Sequence, residues 1–421
     1  MAFPKDAKPW GDNVTTYVFE TLTADDALHV GLFDDLTFSS GSATQMSVQY
    51  GSDGTITLTE DTRSVTFGIG FIHMTVARDL SFPDHSLLYI GDEAANTKDY
   101  SKITSDVEMY GGAGADVLTG GQARSVIQGN QGADTLSGSG VIYGGQDNDS
   151  ITGVGFVQGN KGDDTITGGP GPATLLGGQG DDVIHATYRD GKIYGDLGND
   201  QIFANDLQRL IDGGAGNDTI QAPYGTAKID AGPGDDRIVG DDQVFWVYGG
   251  DGNDTISLST LEATVSGGAG NDSIFVPGYY QGANELSGDV GNDTIIAGAG
   301  DTLSGGEGDD LLNGGTMIGG PGADRFGMGY VLFPSSPTNQ VLDWSPDEKV
   351  QLPHGGASSI TYSEATAHDA AAALSLFTAS SSANPVMAIQ VGADVLVFAS
   401  GPLEVTLVGR TLADIDASNF V

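Results

Sequence analysis

The chain has 421 residues, with 66 glycines, no cysteine, and 57 acidic side chains against 16 Lys plus Arg, for a formal charge of −41 at 38% hydrophobic content. Such a charge excludes nucleic acid as a main partner, because phosphate binding needs a basic surface, and the lack of cysteine excludes disulfides and thiolate metal sites. The apolar fraction is too high for a disordered polyanion, so the acids require a counterpart, for which divalent cations are the natural choice.

Residues 1–105 alternate in the manner of strands. Met46-Ser-Val-Gln-Tyr50 and Ile56-Thr-Leu58 flank the turn Gly51-Ser-Asp-Gly54, and Val65-Thr-Phe67-Gly-Ile69 follows. This segment reads as a β domain that caps the next region or attaches the protein to something else. The opening residues, Met1 to Trp10, hold no continuous apolar run of a secretory leader, which taken alone suggests the cytosol. No stretch approaches the roughly 18 apolar residues of a membrane span.

From 106 to 328 the chain repeats. Aligned on the first residue of a Gly-rich turn, copies begin at 111, 129, 144, 159, 177, 195, 213, 231, 249, 267, 288, 305 and 319, and six consecutive intervals from 159 to 267 are 18 residues long. A fixed period of this kind is the mark of a solenoid. Two apolar columns hold the register. The eighth residue of each turn runs from Leu118 and Leu136 through Ile220 to Leu312 and Phe326, and a second column two residues before each turn runs from Met109 and Ile127 to Leu303 and Met317. Each coil is therefore expected to place two short strands on opposite walls, and thirteen coils spaced about 4.8 Å apart predict a rod of about 60 Å. A flexible Gly/Asp spacer would not need complete apolar columns.

The sixth position of every turn is aspartate: Asp116, Asp134, Asp149, Asp164, Asp182, Asp200, Asp218, Asp236, Asp254, Asp272, Asp293, Asp310 and Asp324. Stacked bare, these charges would repel, and one or two aliphatics per half-coil cannot offset the entropy of ordering so much glycine. A hard cation between successive turns reverses the sign, and calcium, which takes six to eight oxygens in flexible geometry, suits carbonyl-rich turns.

The pattern Gly-Gly-x-Gly-x-Asp-x-aliphatic-x, as in Gly213-Gly-Ala-Gly-Asn-Asp-Thr-Ile220, resembles the calcium-binding nonapeptide of RTX (repeats-in-toxin) proteins. The resemblance covers about half of the chain. It implies an all-β, parallel β-roll with Ca²⁺ between neighbouring turns. Its ligands would be the thirteen aspartates above and backbone carbonyls of the turn glycines, here Gly111, Gly129, Gly144, Gly159, Gly177, Gly195, Gly213, Gly249, Gly267, Gly288, Gly305 and Gly319. Ala231 stands in the first position of the eighth turn and Asp147 in the fourth position of the third. Family members repeat the motif every nine residues, whereas the alternate half-coils here, such as Gly168-Gly-Pro-Gly-Pro-Ala173, have lost the aspartate. The expectation is a one-edged roll with up to twelve ions, whose +24 would leave about −17 of the −41.

Residues 329–421 read as a β cap, with strands in Asn339–Leu352, Gly392–Phe398 and Leu403–Gly409 and one helix from Ser363 to Phe377. The ending, Thr411 to Val421, is similar to the C-terminal region of RTX proteins exported by type I machinery, which keep an uncleaved export signal there. The resemblance thus implies a secreted, extracellular or cell-surface protein and replaces the cytosolic expectation.

Catalytic signatures are sparse. None of the six histidines lies in His-Glu-x-x-His, and no Gly-x-Ser-x-Gly occurs. The third turn positions, Ala113, Gln131, Gln146, Lys161 and onward, carry no threonine lattice of the kind ice binding uses. The reading is a non-enzymatic calcium-binding structural protein similar to RTX proteins of surface layers and extracellular matrices, folding and assembling with itself on calcium, with cell-surface polysaccharide as a further candidate partner. The alternatives are an RTX enzyme of unfamiliar type and an adhesin for glycan or lipopolysaccharide.

Overall fold

The computed structural model describes residues 16–28, 30, 35–68, 71, 80–204, 208–223, 226–241, 246–259, 262–276, 283–298, 300–327, 339–345, 348–351, 361–367, 373, 385–399 and 403–420. It divides into two compact units, 1–169 and 170–421.

In the first unit, Met46–Tyr50, Ile56–Glu60 and Arg63–Phe67 form an antiparallel meander. Its first turn is where the Gly51–Gly54 signal placed it, closed by the amide of Gly51 donating to the carbonyl of Thr55 at 2.8 Å. Ile69 lies outside the described residues. One face of the meander joins Phe19, Phe38, Phe67, Phe71 and Phe82 in a phenylalanine-rich core that also takes in Leu88, Ile90 and Tyr110. Those last residues belong to the roll, so cap and first coils share one interior.

The roll begins one coil earlier than the motif predicts. Leu87–Ile90 pairs in parallel with Val107–Ala113, and Thr97–Asp99 with Val117–Thr119. The early coil escapes the pattern because its turn, Gly91-Asp-Glu-Ala-Ala-Asn96, lacks the second and fourth glycines and carries Asn96 where later turns carry aspartate. Where the interval shortens to 15 residues, the second half-coil loses its turn. Thr135–Gln146 and Ser150–Lys161 run as long strands paired from Thr135↔Ser150 to Gly145↔Asn160.

In the second unit each coil alternates the two expected short strands, for example Lys192–Leu197 and Gln201–Ala204, and each pairs in parallel one coil onward. The aliphatic columns stack on themselves, Ile202 on Ile220 and Ile193 on Ile211. Every residue of both columns, in either unit, is at most 2% exposed. Two residues past the first column, Ala186, Ala204, Ala222, Leu258 and Val276 add a third buried row that fills the gap between the walls.

Past the last motif, Asn339–Val341 pairs with Thr316–Ile318, and Lys349–Gln351 with Arg325–Gly327, which makes a further coil without the motif. Trp344 from this coil is fully buried with its ring 6.0 Å from that of Phe326. Leu403–Leu407 continues the stack on Asn339–Val341 and turns it into an antiparallel sheet with Asp394–Ala399 and Pro385–Val391. The helix expected from Ser363 is corrected at its start: Thr361–Ala367 is a strand, parallel to Pro385–Val391. Helix propensity of the alanines there yields to an open edge of the sheet that needs a partner for its backbone groups. Ala373 is helical and buried against Ile389 and Phe398, and the rest of that segment, Phe377 included, lies outside the described residues. Among the described residues no helix is long and apolar enough to cross a membrane.

Candidate metal centre

All thirteen sixth-position aspartates are buried, none more than 3% exposed. Each turn follows a strand and folds back through glycines, which swings this side chain inward against the preceding coil. The two carboxylate oxygens then differ. Oδ1 accepts the backbone amide of the aspartate one coil earlier: in the first unit Asp116 N donates to Asp134 at 2.8 Å, Asp134 N to Asp149 at 2.8 Å and Asp149 N to Asp164 at 2.7 Å. In the second unit the chain of bonds runs from Asp182 through Asp200, Asp218, Asp236, Asp254, Asp272, Asp293 and Asp310 to Asp324 at 2.7–2.9 Å. Asn96 N starts the series by donating to Asp116 at 2.7 Å.

Oδ2 has no such partner. In Asp116, Asp134, Asp149, Asp200, Asp218, Asp236, Asp254, Asp272, Asp293 and Asp310 it is buried without a hydrogen bond among the described residues. An orphaned, desolvated carboxylate oxygen is costly, and a native chain that repeats one so regularly has a ligand for it. The first glycine of the turn is what leaves space there. A Cβ added at Gly111 would strike Asp116 Oδ2 and lie 2.6 Å from the carbonyl oxygen of Gly129. Gly129 stands likewise toward Asp134 and Gly144, Gly144 toward Asp149 and Gly159, Gly177 toward Asp182 and Gly195, and Gly305 toward Asp310 and Gly319. Gly195, Gly213 and Gly249 repeat it, and Gly267, Gly288 and Gly319 face their own turn's aspartate in the same way. Carboxylate and carbonyl oxygens thus converge at a point that only glycine keeps open, a donor set of hard oxygens suited to calcium. Among the described residues no group of three or more His, Asp or Glu side chains is arranged to hold a metal ion by itself, so carbonyl oxygens would have to complete each site. The aspartates and turn glycines brought together here are those the sequence singled out.

Electrostatics agree with the geometry. Burial pushes Asp149 and Asp236 up to about 8, Asp134, Asp218, Asp272 and Asp310 to about 7, and Asp116, Asp164, Asp200 and Asp254 to about 6, with the amide on Oδ1 partly offsetting the rise. Neighbouring carboxylates push further in the same direction at Asp149, Asp218 and Asp236. A divalent cation removes both penalties.

The opposite edge is built otherwise. Asp301, also buried, spends Oδ1 on the amide of Asn284 at 2.9 Å and Oδ2 on the amide of Gly298 at 2.9 Å, so both of its oxygens are satisfied by protein donors.

Sequence reasoning passed over the fifth turn position, where Asn or Asp stands in ten of the thirteen turns. These side chains form an exposed ladder of opposite sense: in the second unit Oδ1 of Asp181, Asn199, Asn217, Asp235, Asn253, Asn271, Asn292 and Asp309 each accepts the amide of the fifth residue one coil later at 2.7–2.9 Å. The column was visible in the alignment; its chemistry was masked by the aspartate beside it. At the last turn the carboxylate of Asp343, from the closing coil, accepts the amides of Gly319 and Gly320 at 2.9 Å each.

Compared with known families, the chain matches the RTX calcium-binding nonapeptide repeat (4 copies) at 110–141, 141–155, 156–184, 176–206, 210–222, 230–259, 264–275, 280–301, 288–316 and 300–326. No curated protein matches. Among solved structures the chain is similar to the extracellular lipase LipA from Serratia marcescens, at 18% identity over 61% of this chain and 40% of that one. The TM-score is 0.15, so this likeness carries no argument about fold or function.

Proposed function

The chain carries RTX calcium-binding nonapeptide repeats in segments between residues 110 and 326, and on that premise we propose that the protein is secreted, folds as it binds calcium outside the cell, and serves as a structural component of a bacterial surface or matrix. The observation that supports this reading best is the row of orphaned Oδ2 atoms. A roll whose interior is three thin apolar rows depends on what bridges those oxygens. Without calcium the carboxylates repel and favour the open chain, which suits passage through an export channel. Extracellular calcium then drives folding by linkage, with sites of this class binding at about 10⁻⁴–10⁻³ M.

The non-enzymatic part of the reading rests on the missing zinc-protease and lipase motifs and on flanks that pack as caps onto the coils. Assembly with further copies, and attachment to surface polysaccharide, complete the proposal. Electron microscopy of the full chain with and without millimolar calcium tests it: ordered lattices or filaments in calcium alone support the structural role, and monodisperse particles in both conditions overturn it.

A further inference from the structure

The first unit contains a cleft of about 1080 Å³ between the meander hairpin around Tyr50 and the turns of five successive coils. Its walls differ in chemistry from the acidic remainder of the chain. Long amides dominate the coil side, with Gln128, Gln131 and Gln146 beside Asn130 and Asn160, and the rings of Tyr50 and Tyr143 are half-buried in opposite walls. The charged groups are Lys161 against Asp92 and Glu93, one cation to two anions, which disfavours an anionic ligand.

Asn130 and Asn160 add side-chain amides to two of the turns that line the cleft. Both occupy the second position of the turn at φ +78° and +81°, a left-handed conformation that the turns before and between them give to Gly112 and Gly145. Asparagine tolerates that region better than other side chains but less well than glycine. The chain accepts the same cost with Asp196 and Asp289 at turns outside the cleft, at φ +74° and +76°, but only at Asn130 and Asn160 is the added side chain a neutral amide lining the cleft. Asn130 Nδ2 donates to the carbonyl of Gln128 at 3.3 Å, which fixes the amide beside the cleft.

We propose that this cleft binds an uncharged oligosaccharide. Amides offer donor and acceptor together, which matches vicinal hydroxyls. Tyrosine faces accept the apolar faces of pyranose rings, and the cleft is of a size that encloses a small ligand. Coils spaced about 4.8 Å apart present these groups at intervals close to one sugar ring. The site names the contact through which the polysaccharide part of the reading above would act, and it rests on that part only; assembly is read out separately by microscopy.

The test uses the full calcium-loaded chain on an array of neutral glycans, followed by titration calorimetry of the best binder and of an anionic hexauronate. Neutral binding, weakened about tenfold or more by Tyr143→Ala and by the double variant Asn130→Gly/Asn160→Gly, supports the site, that being the scale of one or two lost hydrogen bonds. The double variant restores the preferred residue at both turns, so it folds at least as well as the parent and separates binding from stability. Absence of any neutral binder, stronger binding of the hexauronate, or unchanged affinity in the double variant overturns the proposal.

Discussion

The backbone amide of Asp236 is held by Oδ1 of Asp254 at 2.8 Å, and the other oxygen of Asp254 is buried with no hydrogen bond. One carboxylate thus stitches two coils together with one atom and reserves the other. Asp254→Asn keeps the acceptor and removes the charge. In calcium its melting temperature is expected to fall, because a ligand is lost; in chelator it is expected to rise, because a buried charge is lost. Asp254→Ala also strands the Asp236 amide and should cost about 1–3 kcal/mol in either condition. Thermal melts in both buffers check this, and a shift of the same sign for Asp254→Asn in both would refute the division of labour.

The pH dependence should change sign with calcium. The ten buried aspartates named above have folded-state values raised to about 6–8, so the folded chain binds more protons than the unfolded one between the ordinary carboxylate range and that window. Stability without calcium therefore falls as pH rises from about 4 to about 8. Calcium competes with those protons, so its apparent affinity rises across the same window. Circular dichroism against pH, with chelator and with calcium, measures both slopes.

Ala231 places a methyl group where the other twelve turns have glycine, and it is fully buried in the turn that carries Asp236. Ala231→Gly reopens that space. The variant is expected to bind calcium more tightly and to melt higher at limiting calcium, with little change in chelator. Equal melting curves at every calcium concentration would show that the methyl does not obstruct a site.

Gly252 sits at φ +135°, and a Cβ there would run into the carbonyl of Gly234 one coil back. Gly252→Ala should cost about 2 kcal/mol or more through strain and displaced backbone. Denaturant unfolding in calcium checks it; a loss under 0.5 kcal/mol, the range of ordinary surface changes, would contradict the packing described.

How far the sequence could be read depended on repetition. The aspartate column, both aliphatic ladders and the turn register recur thirteen times, and the structure buries each of them as a set. What occurs once was not legible. The coil at Leu87–Asp99 hides behind Asn96 and absent glycines, and the closing coil hides because the sequence after Val341, Leu342-Asp-Trp-Ser-Pro-Asp-Glu348, holds no glycine. Ser363–Ala367 has helix-forming residues whose state is decided by the neighbouring strand Pro385–Val391. The cleft needed three dimensions, since its two sides, around Tyr50 and from Asp92 to Lys161, lie far apart in the chain and Tyr50 carries no mark of what faces it.

The bond between successive sixth-position aspartates joins residues 18 apart at Asp236 and Asp254, 21 apart at Asp272 and Asp293, and 14 apart at Asp310 and Asp324, with hardly any change in length. All slack in the winding is therefore taken up on the far side. That side is a tolerant margin, where chain can be lengthened, trimmed or grafted in evolution or by design while the ion-bearing seam keeps its beat.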